Sequence, residues 1–584
     1  MWSTKTIKLD YRYATSLIGL LFVLSSIDAS ALEAGALQRN IEQQLPPVDT
    51  LPSVGPDKKP ELIQKKSDPN AVKVLVTSFE FQGVTLFSDA QLQEVVKPWI
   101  NKSVTLSELQ EAADAVANYY RTQGKVAQVQ IPPQKLTNGH VILRVLEAKL
   151  GAVKMRAEPD ARVEPEFAKG FVTVNNPPGE FIDTNSVERS IFLIKELPGV
   201  SVTTELSPGD KDGEANLLVN LEDTPLVNGK VDFNNYGSRS TGQNQGVALM
   251  AINDLTGYGD QVLLSGITSQ GSNYVLAGYS FPVSQNGLRF GLSGSQLNYH
   301  NVGSFEANGS FGAATVGSTY LSYALHRSEG ANANLLLSYD QKTYMNRSIA
   351  TSAISSNYII RDINLGISGN RFDDWFGGGI NSGSLTLTSG ALNFFADQYD
   401  AGPNTYGLYT PRNFQKMTFM ASRNQQIIPN ETILNVTLTG QLANQNLDPA
   451  EKFYLGGANG VQAYPVGQAA GSQGFLAVAE VQQQLPYNII GSISVQYGMV
   501  QQYVNPYPGW QGQTGAPNWY GLGGIGPGLK WTYEHFTLSG SVAWALGPNP
   551  LKSATGQTVN VDGWSPQYNH LQPAYGWFQA SVTF

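Results

Sequence analysis

From about Leu226 to the last residue, the chain breaks into short stretches in which apolar and small polar residues alternate. Leu538, Val542 and Trp544 fall on one side of a stretch whose other side carries Thr537, Ser539 and Ser541. Leu434, Val436 and Leu438 alternate with Asn435, Thr437 and Thr439, and Leu385 and Leu387 with Ser384, Thr386 and Thr388. A period of two sends successive side chains to opposite faces of a sheet. A soluble sheet shows this in a strand or two. Here it recurs to Phe584 with no helical stretch between, as expected of a closed barrel with lipid outside and water inside. The pattern predicts a transmembrane β-barrel over residues 225–584.

Strands are predicted near 227–237, 245–253, 260–268, 272–281, 288–297, 313–325, 332–342 and 357–371. Others follow near 383–393, 414–424, 431–441, 475–484, 490–499, 523–532, 535–546 and 575–584. That makes about sixteen, an even number as bacterial barrels require. Connections after even strands are mostly short, such as 282–287, 326–330, 425–430 and 485–488. Those after odd strands are mostly long, notably 298–312, 394–413, 442–474, 501–522 and 547–574. Short turns on the periplasmic side and long loops outside give the orientation.

Before the barrel the period changes. Residues 72–151 mix strands (74–81, 127–131, 141–146) with helices from Ser88 to Lys97 and Thr105 to Gln123. A second unit over 152–224 has a strand, a helix from Thr184 to Leu197 and strands around 201–206 and 215–221; its first helix is not placed. Both follow one βααββ plan. Upstream, Glu33 to Leu45 is a helix candidate with Ala36, Leu37, Ile41 and Leu45 apolar and Gln38, Arg39, Gln43 and Gln44 polar, stopped by Pro46 and Pro47. We bound it as 32–46 and treat the Pro-, Lys- and Asp-rich 47–71 as a flexible tether. Residues 1–31 have the form of a secretory signal: Lys5, Lys8 and Arg12, an apolar core from Ala14 to Ile27, then Ala29-Ser30-Ala31.

Composition agrees. Only 14% of the 584 residues are charged, and the 60 glycines suit strands and turns. No apolar run after residue 30 is long enough to span a bilayer as a helix. The net charge of −9, without a basic stripe, argues against a nucleic-acid partner. The absence of cysteine excludes disulfides, thiol catalysis and Cys-ligated metal. His140, His300, His326, His535 and His570 stand singly, with no metal spacing and no Ser-His-Asp grouping, so neither an enzyme nor a cofactor is expected. Asp373-Asp374 and Asp448 with Glu451 read as solvated turn charges.

Several motifs carry a family resemblance. Phe233 to Gly242, running Phe-Asn-Asn-Tyr-Gly-Ser-Arg-Ser-Thr-Gly, resembles the first strand and loop of the two-partner secretion transporters (TpsB family), and Gly257-Tyr258-Gly259-Asp260 resembles their G-x-GD turn. Ile131-Pro132-Pro133-Gln134, with Gly139, Val145 and Glu147, is similar to the signature of their first POTRA module. Leu197-Pro198-Gly199-Val200 and Ser207-Pro208-Gly209 are similar to that of the second. The 32–46 helix, with Leu37, Ile41 and Leu45, resembles their N-terminal plug. The resemblance spans the mature chain. It implies an outer-membrane pore for one large unfolded exoprotein bearing an N-terminal secretion domain, captured in the periplasm by POTRA units and folding outside. Capture by β-augmentation is expected near Ile131–Gln134 and the Leu106–Gln123 helix. The passenger would be an adhesin, cytolysin or contact-dependent toxin.

In loop 442–474, Gly460-Val461-Gln462-Ala463-Tyr464-Pro465 occupies the place of the family's lumenal VRGY or VRAYP tip. The family's Arg is Gln462 here, and the Asp it pairs with on the thirteenth strand is Gln496, beside Gly498. Alternation turns Ser492, Ser494 and Gln496 to the lumen, which predicts a Gln462–Gln496 hydrogen bond in place of the ion pair. Phe584, with Phe578, Ala580 and Val582, completes an outward row similar to the terminal signal read by the barrel-assembly machinery. Outer-membrane lipid completes the expected partners. The competing reading is an insertase resembling BamA or TamA, which usually has more POTRA units and no plug helix.

Overall fold

The computed structural model describes residues 33–45, 51–56, 72–135, 138–159, 161–211, 213–307, 309–395, 412–508, 510, 517–547 and 574–584. The predicted signal (1–31), most of the tether, and parts of the long loops expected at 394–413, 501–522 and 547–574 lie outside these residues.

Helix α1 (Ala34–Glu42) stands alone at the N-terminal end. The first soluble unit contains β1 (Val74–Val76), β2 (Ser78–Gln82), α2 (Asp89–Val96), β3 (Lys102–Val104), α3 (Leu106–Thr122), β4 (Ala127–Gln130) and β5 (His140–Glu147). The stretch expected as one strand, 74–81, is two: β1 pairs with β3, whereas β2 runs parallel to β5 in a sheet of order β2-β5-β4. Both helices start at capping boxes, Ser88 with Gln91 and Thr105 with Glu108, which satisfy backbone donors otherwise left unpaired. Leu109, Ala112, Ala113, Val116 and Tyr120 of α3 recur at helical spacing and are buried on the sheet.

The second unit is β6 (Lys149–Ala157), α4 (Pro165–Thr173), α5 (Thr184–Lys195), β7 (Val200–Pro208) and β8 (Glu214–Asp223), with β6 parallel to β8 in the order β6-β8-β7. The helix that sequence alone did not place is α4, two and a half turns opened by Pro165 at its first position.

The barrel strands are β9 (Val227–Asn234), β10 (Gln245–Asn253), β11 (Gln261–Thr268), β12 (Ser272–Ser284), β13 (Leu288–His300), β14 (Ser310–Arg327), β15 (Ala331–Ser348) and β16 (Ile354–Asp373). They continue as β17 (Gly379–Phe394), β18 (Asn413–Ile428), β19 (Thr432–Ala443), β22 (Gln473–Leu485), β23 (Ile489–Gln501), β24 (Trp519–Tyr533), β25 (Phe536–Ala545) and β26 (Tyr575–Thr583). Every neighbour pair is antiparallel, and β26 returns to β9 to close the barrel. Two short strands, β20 (Phe453–Tyr454) and β21 (Ala470–Gly471), pair inside the loop between β19 and β22.

The alternation read from the sequence sets the two faces. Leu385, Leu387, Val436, Leu438, Ile493, Val495, Tyr497, Val542 and Trp544 are exposed on the outside, while Ser494 and Gln496 are buried within. Toward the outer end the lipid face turns polar, with Thr315 donating to Gln296 (2.5 Å) and Arg361 to Gln341 (3.1 Å). The climb from Ala331 to Gln341 is about 25 Å along the barrel axis at the usual strand tilt, the height of an outer-membrane apolar band.

Candidate functional site

The lumen is occupied. Helix α1 lies inside the barrel, with Leu37 and Ile41 each 4% exposed and Leu45 partly buried against the same cluster. Their seat is aromatic: Tyr274, Tyr299, Tyr344, Tyr358 and Tyr454. Gln38 and Asn40 are buried too, so the enclosure extends beyond the apolar stripe, while Arg39 and Glu42 are half-buried and Gln43 is exposed. Its N-terminus is tied by the Ala34 amide, which donates to Asn346 Oδ1 (3.0 Å); Tyr299 donates to that same oxygen (2.6 Å), and Asn346 in turn donates to Ser356 (2.7 Å). Residues 51–56 leave along the periplasmic rim, where Pro52 O accepts from Asn332 (3.2 Å) and Asn370 (2.7 Å) and Gly55 N donates to Glu329 O (3.1 Å). A cavity of about 1220 Å³ lies between the helix and the barrel mouth, bordered by Arg39, Tyr274, Thr418 and, from the second soluble unit, Lys195 to Val200.

The loop between β19 and β22 folds back into the barrel. Val461, Ala463 and Tyr464 at its tip are buried with Leu455 against Leu476, Val500, Tyr520 and Leu522 of the wall. Pro465 is buried as well, and Gly460 N donates to Gly457 O (3.0 Å) at the turn. Gly498 matters through close approach: a Cβ there would sit 2.4 Å from Leu455 Cδ2.

The expected Gln462–Gln496 bond is not made. Gln462 Nε2 donates to Ala458 O within the loop (3.1 Å), and Gln462 O accepts from Trp577 Nε1 (2.8 Å). Gln496 Nε2 donates to Ser494 Oγ (2.6 Å), leaving its buried Oε1 without a hydrogen-bond partner. An amide is shorter than a guanidinium and gains as much from a near carbonyl as from a distant wall, so Gln462 bonds locally. The tip is held by apolar packing and by the bond from Trp577 on the wall.

Charge does meet charge elsewhere, at residues first read as solvated. Asp448 and Glu451 are buried in the lumen at the base of the loop. Glu451 lies 2.6 Å from Lys342 Nζ and 2.5 Å from Lys416 Nζ, and Lys342 is also 2.8 Å from Asp362. Asp448 accepts from Tyr358 OH (2.9 Å) and from the Ala450 amide (2.9 Å). Asp373 does lie at a solvated turn, at the end of β16, and there pairs with Arg423 at 2.8 Å. Alternation places Lys342, Asp362 and Lys416 in the lumen, but no local spacing links them to Glu451 across the barrel.

Comparison with known proteins bears on this arrangement. Residues 213–530, more than half of the chain, match the family described as haemolysin secretion/activation protein ShlB/FhaC/HecB, and residues 74–148 match the ShlB-type POTRA domain. The chain belongs to the ShlB/FhaC/HecB family. The heme/hemopexin transporter protein HuxB of Haemophilus influenzae (strain 86-028NP) is 26% identical over 92% of this chain and 96% of its own. The outer membrane transporter CdiB of Dickeya dadantii is 23% identical over 82% and 85%. Among solved structures, CdiB from Escherichia coli shares the fold with a TM-score of 0.67 at 20% identity, covering 91% of this chain and 94% of that one. BamA from Haemophilus ducreyi, lacking POTRA domains 1–3, shares it with 0.51 at 13% identity, covering 88% and 100%.

The protein is thus a two-partner secretion transporter of the outer membrane, with its POTRA units in the periplasm. The second POTRA unit is fastened to the ShlB-type barrel by ionic and backbone contacts. Arg327 on β14, 3% exposed, forks onto Glu196 at the end of α5, and Arg189 donates to Asn286 O (3.0 Å) and Ala324 O (2.6 Å). In the first POTRA unit, Gln134 bonds to the backbone of Ile142 in both directions (2.8 and 2.9 Å), extending the edge of β5 beyond the end of β4. Ile131 and Pro132 are half-buried beside it and Pro133 is exposed. Glu147 of that unit accepts from the Thr85 and Leu86 amides and from Tyr120 OH (3.0, 2.9 and 2.7 Å). Burial opposes its charge, but a bond from the Thr85 hydroxyl, together with these three, prevails and holds its carboxyl below the ordinary range.

The barrel seam is short. β9 and β26 pair only from Lys230 to Asn234 and from Gln579 to Thr583. Phe584 lengthens it with two backbone bonds to Gly229 (2.9 and 3.0 Å), its ring lying where a Cβ on Gly229 would stand. Asn235 does so at the other end, its Oδ1 accepting from Phe578 N (2.8 Å). Phe578, Val582 and Phe584 are exposed in an outward row.

Proposed function

We propose that the transporter takes one unfolded exoprotein through its N-terminal secretion domain, captures it on the first POTRA unit, and passes it through the lumen once α1 has withdrawn. The observation that carries this reading is the helix itself. It fills a barrel of the size that otherwise encloses an aqueous channel, yet it pairs with no barrel strand and is held there by side-chain packing and a tie at the Ala34 amide.

Capture falls on β4. It is an edge of the β2-β5-β4 sheet, flanked by α3, with Gln128 and Gln130 exposed. An extended peptide adding there would use main-chain bonds that tolerate varied sequence. Gln134 then acts as the structural end of that edge, and Ile131 lines it. Folding of the passenger outside supplies the direction, so this reading assigns neither catalysis nor a cofactor to the chain. The passenger is a large adhesin, cytolysin or contact-dependent toxin; HuxB, by its name, is a heme/hemopexin transporter. The barrel-assembly machinery and outer-membrane lipid complete the partners. Insertase activity is the second reading, because the barrel fold is shared with BamA.

A photo-crosslinker placed at Gln128 and, separately, at Thr418 in the lumen tests this. A secreted partner stalled in transit is expected to crosslink at both. Crosslinks to unfolded barrel proteins at Val231 beside the seam, and none at Thr418, would favour the insertase.

A further inference from the structure

The inward loop spans the lumen between two walls. Its tip packs on β22 to β24, without a charge pair. Its base reaches the other side through the short helical turn Pro449–Glu451. There Glu451 bridges Lys342 of β15 and Lys416 of β18, and Lys342 also meets Asp362 of β16. The four side chains are 1%, 12%, 6% and 1% exposed in that order for Glu451, Lys342, Lys416 and Asp362. Two ammonium and two carboxylate groups balance. Salt screens buried pairs little, and losing one partner leaves a charge stranded away from water.

The plug helix rests on the same turn. Gly35 of α1 lies against Ala450, so closely that a Cβ on Gly35 would stand 2.9 Å from that of Ala450. Arg39 of α1 borders the same cavity as Glu451 and Lys416. Asp448, one residue before the turn, accepts from Tyr358, whose hydroxyl also borders Gly35 (3.1 Å from a Cβ there).

We propose that Glu451 is the positioning residue that seats the inward loop, its bridge to Lys342 and Lys416 standing in for the charge pair absent at Gln462 and Gln496, and that this seat holds α1 in the lumen. Loop seating and plug docking are then one event: whatever unseats Glu451 loosens the helix, and departure of the helix removes the cover from the bridge. The inference rests on the reading of α1 and the loop as occupants of an export lumen, but its test needs no passenger. A failure of export would leave it standing.

The chain has no cysteine, so Gln38→Cys on the buried face of α1 gives a single thiol that reports plug departure. Purified, correctly inserted protein in liposomes is labelled with a water-soluble maleimide, and channel openings are recorded in planar bilayers. Glu451→Gln is expected to raise both the labelling rate and the opening frequency about tenfold or more, and to shift the ion selectivity of the open state toward anions, since one positive charge is left unbalanced. Lys416→Gln, which leaves Glu451 bridged to Lys342, should give a smaller rise of about threefold. The double change Glu451→Gln with Lys416→Gln leaves the Lys342–Asp362 pair intact and should fall back below Glu451→Gln alone, because no charge of the bridge is then stranded. Where Glu451→Gln does not insert, Lys416→Gln carries the same test. Labelling or opening at the parent rate in an inserted variant would overturn the proposal, as would a rise in openings without a shift in selectivity.

Discussion

Truncating the apolar face of α1 should empty the lumen. Leu37 and Ile41 are each 4% exposed against the tyrosine wall, so the change Leu37→Ala with Ile41→Ala removes contacts that exist only while the helix is docked. Each substitution deletes about three methylene equivalents, or ~2.4 kcal/mol at about 0.8 kcal/mol per buried CH2. Together that is about 5 kcal/mol. Water can enter this lumen, so the further cavity cost of a sealed core is left out. At about 1.4 kcal/mol per tenfold, the docked-to-undocked ratio falls about 10³-fold. Planar-bilayer recording reads this directly as the frequency of long openings, with deletion of residues 33–45 as the upper bound and heat-dependent gel migration as the check that the barrel is folded. A folded double variant that opens no more often than the parent would refute the reasoning, because the helix would then be held by something other than its buried face.

Three further outcomes follow from the geometry. Deleting Phe584 removes two backbone bonds from an already short seam and should lower the amount of folded barrel in the outer membrane several-fold, while molecules already inserted keep their export rate; normal barrel levels would contradict this. Gln134→Ala should destabilise the first POTRA unit by about 1–2 kcal/mol, through two lost bonds to Ile142, seen as faster hydrogen exchange along β5; unchanged exchange with lost export would instead make Gln134 a direct passenger contact. Glu147 has a folded-state pKa below its unfolded value, so its contribution is fully present above the unfolded pKa of about 4.3 and disappears as pH falls through the lower folded value. Exchange protection of α3 and β5 should fall in that acidic window, and Glu147→Gln should flatten the dependence.

The strand count, the direction of the barrel and its two faces were legible in the sequence because each strand repeats a period of two against lipid. Ile493, Val495 and Tyr497 face out and Ser494 and Gln496 face in as the alternation requires. The soluble helices were legible where caps and periodicity agree, as at Thr105 with Glu108. Helix α4 was not, because it is short and opens on a proline in a stretch without a cap hydrogen bond. The split of 74–81 into two sheets was hidden as well, since β1 and β2 read as one alternating run and only the pairing separates them. The site was half legible. The loop and the plug helix stood out by resemblance and pattern, but Glu451 looked like any carboxylate beside a proline. Its partners come from strands β15 and β18, some 109 and 35 residues away, and only barrel closure brings them together. The amide pair failed for the opposite reason: Gln462 and Gln496 were matched by position in a family pattern, while the nearer Ala458 carbonyl was available to bond.

Outward transport is measured by co-expressing the chain with a candidate exoprotein that bears an N-terminal secretion domain and assaying the medium for that exoprotein. Export that requires the chain and is lost on deleting residues 72–223 is the predicted result. Export that proceeds without the chain, with other barrel proteins falling when the chain is depleted, would contradict it and mark an insertase.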